Sequence, residues 1–192
     1  MPAAVLLALV GLLASPTTAL EPGEDGLAPA GAVVACAPDE ARHEERWEAG
    51  RVRERGPCAD GLAQGGWTSW YPDGTRAWRG WLEQGALEGR FDAWFPSGER
   101  RARASYAGGL LEGMALTWWD TGRMRAVGRY EAGQAQGCHT TWRADGHLAA
   151  RGAYVDGLRV GRWLTWDEDG HRQVEELDGK PSTGRCFRLL LP

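Results

Sequence analysis

Between residues 47 and 179, apolar, glycine and polar positions return on a fixed step of 24. Trp70, Trp94, Trp118, Trp142 and Trp166 form one row, and Gly74, Gly98, Gly122, Gly146 and Gly170 form another. Further rows run through Gly61, Gly85, Gly109, Gly133 and Gly157, and through Leu82, Tyr106, Tyr130 and Tyr154. Several aligned rows without an insertion mark a repeat architecture. One unit reads as a short aromatic segment (67–71), a turn at Pro72-Asp73-Gly74-Thr75, a second segment (75–82) and a turn at Glu83-Gln84-Gly85. Short segments bounded by Gly turns predict two strands per unit. The first turn suits a three-residue loop, a type I turn followed by a glycine at positive φ, which explains the unbroken Gly row. Glycine at this density excludes a helix, where each would cost about 1 kcal/mol. The predicted fold is all-β: an elongated single-sheet antiparallel meander of 24-residue β-hairpin repeats. At two strands per unit, each repeat adds roughly 10 Å and five add roughly 50 Å.

Pairing Tyr71 with Thr75 across the loop sets Trp70 opposite Arg76 and Thr68 opposite Trp78. On that register the Trp row shares a face with positions 78, 80 and 82. The columns through them hold Trp then Ala, Gly or Ala, and Leu then Tyr. The other face receives Arg79, Arg103 and Arg151 in one column and Arg101 and Arg125 in a second. An apolar ladder on one side and a polar surface on the other is the expectation for an antiparallel sheet wetted on one face.

The unit GGWTSWYPDG followed by RGWLEQGALEG resembles the MORN repeat, in particular its bacterial variant form. The resemblance covers about residues 50–179. It implies an elongated antiparallel sheet of hairpins and a non-catalytic module for protein association. Some such repeats are linked to membranes or lipid headgroups, and some bacterial members carry an antitoxin label, which implies a cytosolic inhibitor of a partner protein. This chain departs from the pattern in its 24-residue spacing and in Arg143 and Asp167, which replace the aromatic after the row tryptophan.

The ends differ from the middle. Residues 1–19 contain no charged side chain and an apolar core from Ala3 to Ala14, and read as a signal peptide with cleavage after Ala19. Its core is too short for a mature membrane span. Residues 20–45, rich in Pro, Ala, Gly and acid, read as a flexible linker carrying Cys36. The repeat array is placed at 46–180, about five repeats with worn ends, and a C-terminal cap at 181–192, with 186–192 as a final edge strand. Four cysteines follow the signal: Cys36, Cys58, Cys138 and Cys186. An even count in an exported chain predicts two disulfides. Of the three possible pairings, Cys36–Cys58 and Cys138–Cys186 are favoured, because each closes one end of the chain. Val33-Val34-Ala35-Cys36 gives a lesser reading, a lipoprotein acylated at Cys36.

Charge and chemistry narrow the function. With 22 basic and 26 acidic residues, 22 − 26 gives −4, which argues against nucleic acid as a partner. No nucleophile elbow or phosphate-cradling loop occurs, and His147 and His171 lie one repeat apart on turns. The Asp167-Glu168-Asp169-Gly170 loop lacks the ligand spacing of a calcium hand. No catalytic residue, metal site or cofactor is assigned. Two surfaces carry binding hypotheses. Residues 76–129 hold nine Arg against six acids, with Arg79, Arg101, Arg103 and Arg125 as candidate anion contacts. Trp67, Trp78, Trp81 and Trp119 lie outside the fixed Trp row, and Trp81 and Trp119 are candidate anchors. The expectation is an exported (periplasmic, cell-surface or extracellular) non-enzymatic scaffold for another protein. The alternatives are an envelope glycan or lipid-headgroup binder, and a cytosolic antitoxin-like inhibitor.

Overall fold

The computed structural model describes residues 23, 25–180 and 186. Its strands are β1 (Arg42–Arg46), β2 (Val52–Ala59), β3 (Leu62–Ala63), β4 (Gly65–Trp70), β5 (Arg76–Glu83), β6 (Ala86–Trp94) and β7 (Arg100–Ala107). They continue as β8 (Leu110–Leu111), β9 (Gly113–Trp118), β10 (Met124–Glu131), β11 (Gln134–Trp142), β12 (Leu148–Val155), β13 (Leu158–Trp166) and β14 (Arg172–Leu177). All belong to one open antiparallel meander in sequence order, with the short β3 and β8 set beside β2 and β7. No helix is present among the described residues, and none there is long and apolar enough to cross a membrane. Taking each unit to end at a turn glycine, the five units are 51–74, 75–98, 99–122, 123–146 and 147–170.

Two kinds of turn build every hairpin. At one rim, the Tyr71 N–H donates to the Thr75 carbonyl (2.8 Å) and Gly74 N–H donates to Tyr71 (2.9 Å), and the same pair of bonds recurs at the turns of Gly98, Gly122, Gly146 and Gly170. Gly74 has φ 92°, the left-handed value the sequence demands there. At the other rim, two-residue turns place both residues at positive φ, as at Gln84 (49°) and Gly85 (79°), the type I′ form that matches strand twist. These turns are bonded to one another: Gly85, Gly109, Gly133 and Gly157 donate to the carbonyls of Ala63, Leu87, Leu111 and Ala135 at 2.9–3.0 Å.

The register departs from expectation at one residue per hairpin, and this moves the core. Trp70 pairs with Arg76 as expected, but Ser69 rather than Thr68 pairs with Trp78, because the strand bulges at Ala77. A bulge adds one residue and flips the alternation beyond it. Positions 67 and 69 therefore share the buried face with 78, 80 and 82, and the Trp row lies on the opposite, outer face. The core is made of Trp67, Trp78, Leu82, Leu87, Phe91 and Tyr106. Trp67 and Trp78 fill it and are not exposed anchors. The outer Trp row is instead roofed by arginines: Arg55 lies 5.4 Å from the Trp70 ring, Arg76 5.3 Å from Trp94 and Arg100 5.6 Å from Trp118.

Small residues at column 80 are required by the rings of column 67. A Cβ built on Gly152 would stand 2.2 Å from the Trp163 ring, and one on Gly128 2.1 Å from the His139 ring. Each ring thus lies flat on a neighbouring glycine backbone.

Residues 25–38, read from sequence as linker, are laid along the core face as a strap. Cys36, Val34 and Gly31 donate to the carbonyls of Gly61 (2.8 Å), Gly85 (2.8 Å) and Gly109 (2.9 Å). Further on, the Tyr106 hydroxyl accepts from Ala28 N–H at 2.9 Å, and Arg101 Nη2 donates to Gly23 at 2.7 Å. The linker reading did not foresee this seat. Cys36 is bonded to Cys58 and Cys138 to Cys186, the favoured pairing. The first bond fastens the strap to the core face. The second reaches Cys186, which packs with Ala153 and Val160. Two disulfides suit an oxidising, exported environment. The signal-peptide, lipid-anchor and final-strand readings fall on residues outside those described, or turn on processing rather than on fold.

Candidate functional site

On the outer face, β5, β6 and β7 bring three arginines to one carboxylate. Asp92, on β6, is only 1% exposed. Arg90 donates to it through Nε (2.8 Å) and Nη2 (3.1 Å), Arg103 through Nε (2.9 Å) and Arg79 through Nη2 (3.3 Å). Cross-strand pairing makes this cluster, since Asp92 lies opposite both Arg79 on β5 and Arg103 on β7. Burial alone would raise the Asp92 pKa, but the hydrogen bonds and charges of Arg90 and Arg103 outweigh it and hold the carboxyl below its ordinary value. One negative charge against three positive leaves a fixed local charge of +2 with the guanidinium groups partly exposed.

Beside this cluster stands Trp81, 57% exposed. Gly66 and Gly89, which lack side chains, leave a shallow hollow of about 550 Å³ next to its ring, bounded by Thr68, Arg79, Arg90, Asp92 and Glu88, whose carboxylate accepts the Gly108 N–H at 2.9 Å. Such a surface offers a flat apolar face and charge-assisted donors whose geometry is set in advance. It suits an acidic or carboxylate-bearing surface.

Of the candidate residues, Arg79, Arg103 and Trp81 are thus brought together. Arg90 and Asp92 were not singled out. Asp92 was legible as the one charged residue in a column otherwise holding Thr68, Leu116, Thr140 and Leu164. Arg101 and Arg125 do not join the cluster. They occupy the bulge position, and Arg101 turns to the core face, over the Phe95 ring at 5.4 Å and against the strap. Arg125 lies over Trp119 at 4.8 Å. Trp119 is a staple between turns, donating from Nε1 to the Trp142 carbonyl at 3.0 Å. Trp47 and Tyr71 do the same three and two repeats earlier, to Trp70 (3.0 Å) and Trp94 (2.8 Å). Arg143 takes over this task, donating to the carbonyls of Trp166 and Asp167, which accounts for an arginine where the pattern calls for an aromatic.

The polar groups on the Gly146 and Gly170 turns and at Cys138-His139 have structural roles. Asp167, Asp169 and His171 place ligand-type atoms within 4.8 Å of one another on an exposed turn. Asp167 Oδ1 accepts the backbone N–H groups of Asp169 (3.1 Å) and His171 (2.8 Å), and Asp145 accepts that of His147 (2.8 Å). These bonds close the turn and hold both carboxyls below their ordinary pKa. Cys138 and His139 point to opposite faces: the cysteine is in a disulfide, and His139 packs between Tyr130 (5.2 Å) and Tyr154 (4.7 Å). Burial lowers the His139 pKa, partly opposed by its bond to the Arg129 carbonyl. Comparison with protein-family models and with curated proteins finds no match for the chain.

Proposed function

We propose that this chain is an exported, non-catalytic scaffold that holds an acidic surface of a partner protein against the outer face of units 2 and 3. The observation that carries the reading is the Asp92 cluster, in which a buried carboxylate fixes three partly exposed guanidinium groups beside an exposed indole. Charge placed in advance costs little ordering on binding, and an adjacent tryptophan supplies apolar area. The resemblance to MORN repeats supports protein association over catalysis. The two disulfides support an exported location over a cytosolic antitoxin role. A second reading, an acidic glycan of the envelope, is favoured by the hollow beside Trp81, where a sugar ring could stack.

The test places a photo-crosslinking residue at Trp81 in the exporting cell. The expected outcome is one protein species, lost on Arg79→Gln with Arg90→Gln and weakened about tenfold by raised salt. Crosslinks to carbohydrate alone would transfer the site to the glycan reading. Protein crosslinks indifferent to both arginines would overturn it.

A further inference from the structure

The strap shows how this sheet takes an extended chain. Its backbone crosses three type I′ turns in succession, giving a hydrogen bond to each turn glycine carbonyl at Gly61, Gly85 and Gly109. It then offers its main chain to the hydroxyl of Tyr106, which bonds both Ala28 N (2.9 Å) and Ala28 O (3.3 Å). Its side chains against the sheet are small: Val34 and Ala28 are buried, and Val33 Cγ1 stands 2.7 Å from where a Cβ on Gly85 would be.

The same row of turns continues across units 4 and 5, where no described residue bonds the Gly133 or Gly157 carbonyl. Gly133 and Gly157 have φ of 79° and 78°, against 79° and 80° at Gly85 and Gly109. Both are held by the same turn-to-turn bonds. Tyr130 and Tyr154 stand in the column of Tyr106, and no described residue bonds their hydroxyls. Beside them Ala115 occupies the place that Phe91 fills one unit earlier, and a cavity of about 360 Å³ opens there, with Leu27, Ala115, Gly128, Tyr130 and His139 in its wall and Asp25, Arg125 and Arg143 as its charged lining. Asp25 and Leu27 belong to the strap, so its described residues form one wall of the cavity.

We propose that the core face of units 4 and 5 is a docking groove for an extended, uncharged segment of a partner protein, rich in Ala, Val and Gly, seated as the strap is seated. The occupant follows from continuity with the strap's seat and from its chemistry. The turn carbonyls ask for backbone N–H groups, the tyrosine hydroxyls for a main-chain amide, and the cavity for a small apolar side chain. This is a main-chain recognition mode, in which hydrogen bonds supply affinity and pockets supply selectivity. It rests on the scaffold reading and adds a second, chemically distinct face to it.

The test uses the full disulfide-bonded chain and a synthetic peptide copying residues 27–36 with Cys36→Ser, carrying a photo-crosslinker at the Val34 position. Saturable binding is expected, with crosslinks confined to units 4 and 5. Tyr130→Phe with Tyr154→Phe should weaken it about tenfold, the loss of one to two hydrogen bonds, while Tyr106→Phe leaves it unchanged. Absence of saturable binding, crosslinks to units 1–3 or the outer face, or a concentration-dependent dimer that the peptide cannot dissociate would overturn the proposal. Capture at Trp81 reports on the outer face alone, so the groove can fail while the scaffold reading stands, and the reverse.

Discussion

Units 1–3 and units 4–5 share one 24-residue pattern but close their core face differently. In the first half, the strap lies over the turn glycines and the ring column is sealed: Phe91 is 0% and Tyr106 2% exposed. In the second half no described strap follows, and Tyr130, His139 and Tyr154 remain half-buried, although Trp163 of the same ring column is 5% exposed. The difference is not in the hairpins, whose turns superpose in their backbone angles and bonds. It lies in what the described residues outside the repeats supply. A single repeat face cannot bury itself, and the strap performs for three units what a second layer performs in a sandwich.

This contrast can be broken at matched positions. Phe91→Ala and His139→Ala remove the ring of the same column two units apart. The first should cost about 3–5 kcal/mol, as for a buried aromatic, and the second about 1 kcal/mol, as for a part-exposed one, both read by urea denaturation. Equal losses would show that the two halves are sealed alike.

Opening the Cys36–Cys58 bond, with Ser at both positions, should cost about 3 kcal/mol, since it closes a loop of comparable length to those that yield this value. The expected signature is regional. Amide exchange should rise at Gly31, Val34 and Cys36, whose N–H groups bond the turns, and stay constant at Gly133 and Gly157. Uniform acceleration would mean that the strap holds the whole sheet and not one half.

The smallest effect concerns pH. The Asp92 carboxyl titrates below its ordinary value in the folded chain. Its contribution to stability is therefore present above the unfolded carboxyl range, near pH 4, and is lost as pH falls through the lower folded value. Asp92→Asn should flatten the acid limb of the stability curve. An unchanged acid limb would mean that the three guanidinium groups do not depend on this carboxylate.

The period, the hairpins and the two turn rows were legible in the sequence, because glycine at positive φ leaves a mark at fixed spacing, whereas the cysteine pairing was one favoured choice of three. The assignment of faces was not. Ala77, Arg101, Arg125 and Ala149 occupy the bulge, and nothing in their side chains announces an extra residue. Counting past it by twos sent the Trp row to the wrong side and took Arg101 and Arg125 for neighbours of Arg79. The strap escaped notice for the opposite reason. Pro, Ala and Gly are what a loose linker contains, and they are also what fits against a row of turns. The Arg cluster was half visible: Arg79 and Arg103 stood out as a column, whereas Arg90 and Asp92 belong to strand positions without a repeated chemistry.

The disulfide at Cys58 anchors the strap at a fixed point, and its described residues then bond three turns in succession. Duplication of a 24-residue unit beyond Gly109 would leave that stretch untouched and lengthen only the part beyond it. In such a lineage, the number of repeats sets the size of the accessible face while the closed end stays constant, so reach can vary by gene duplication without redesign of the anchor.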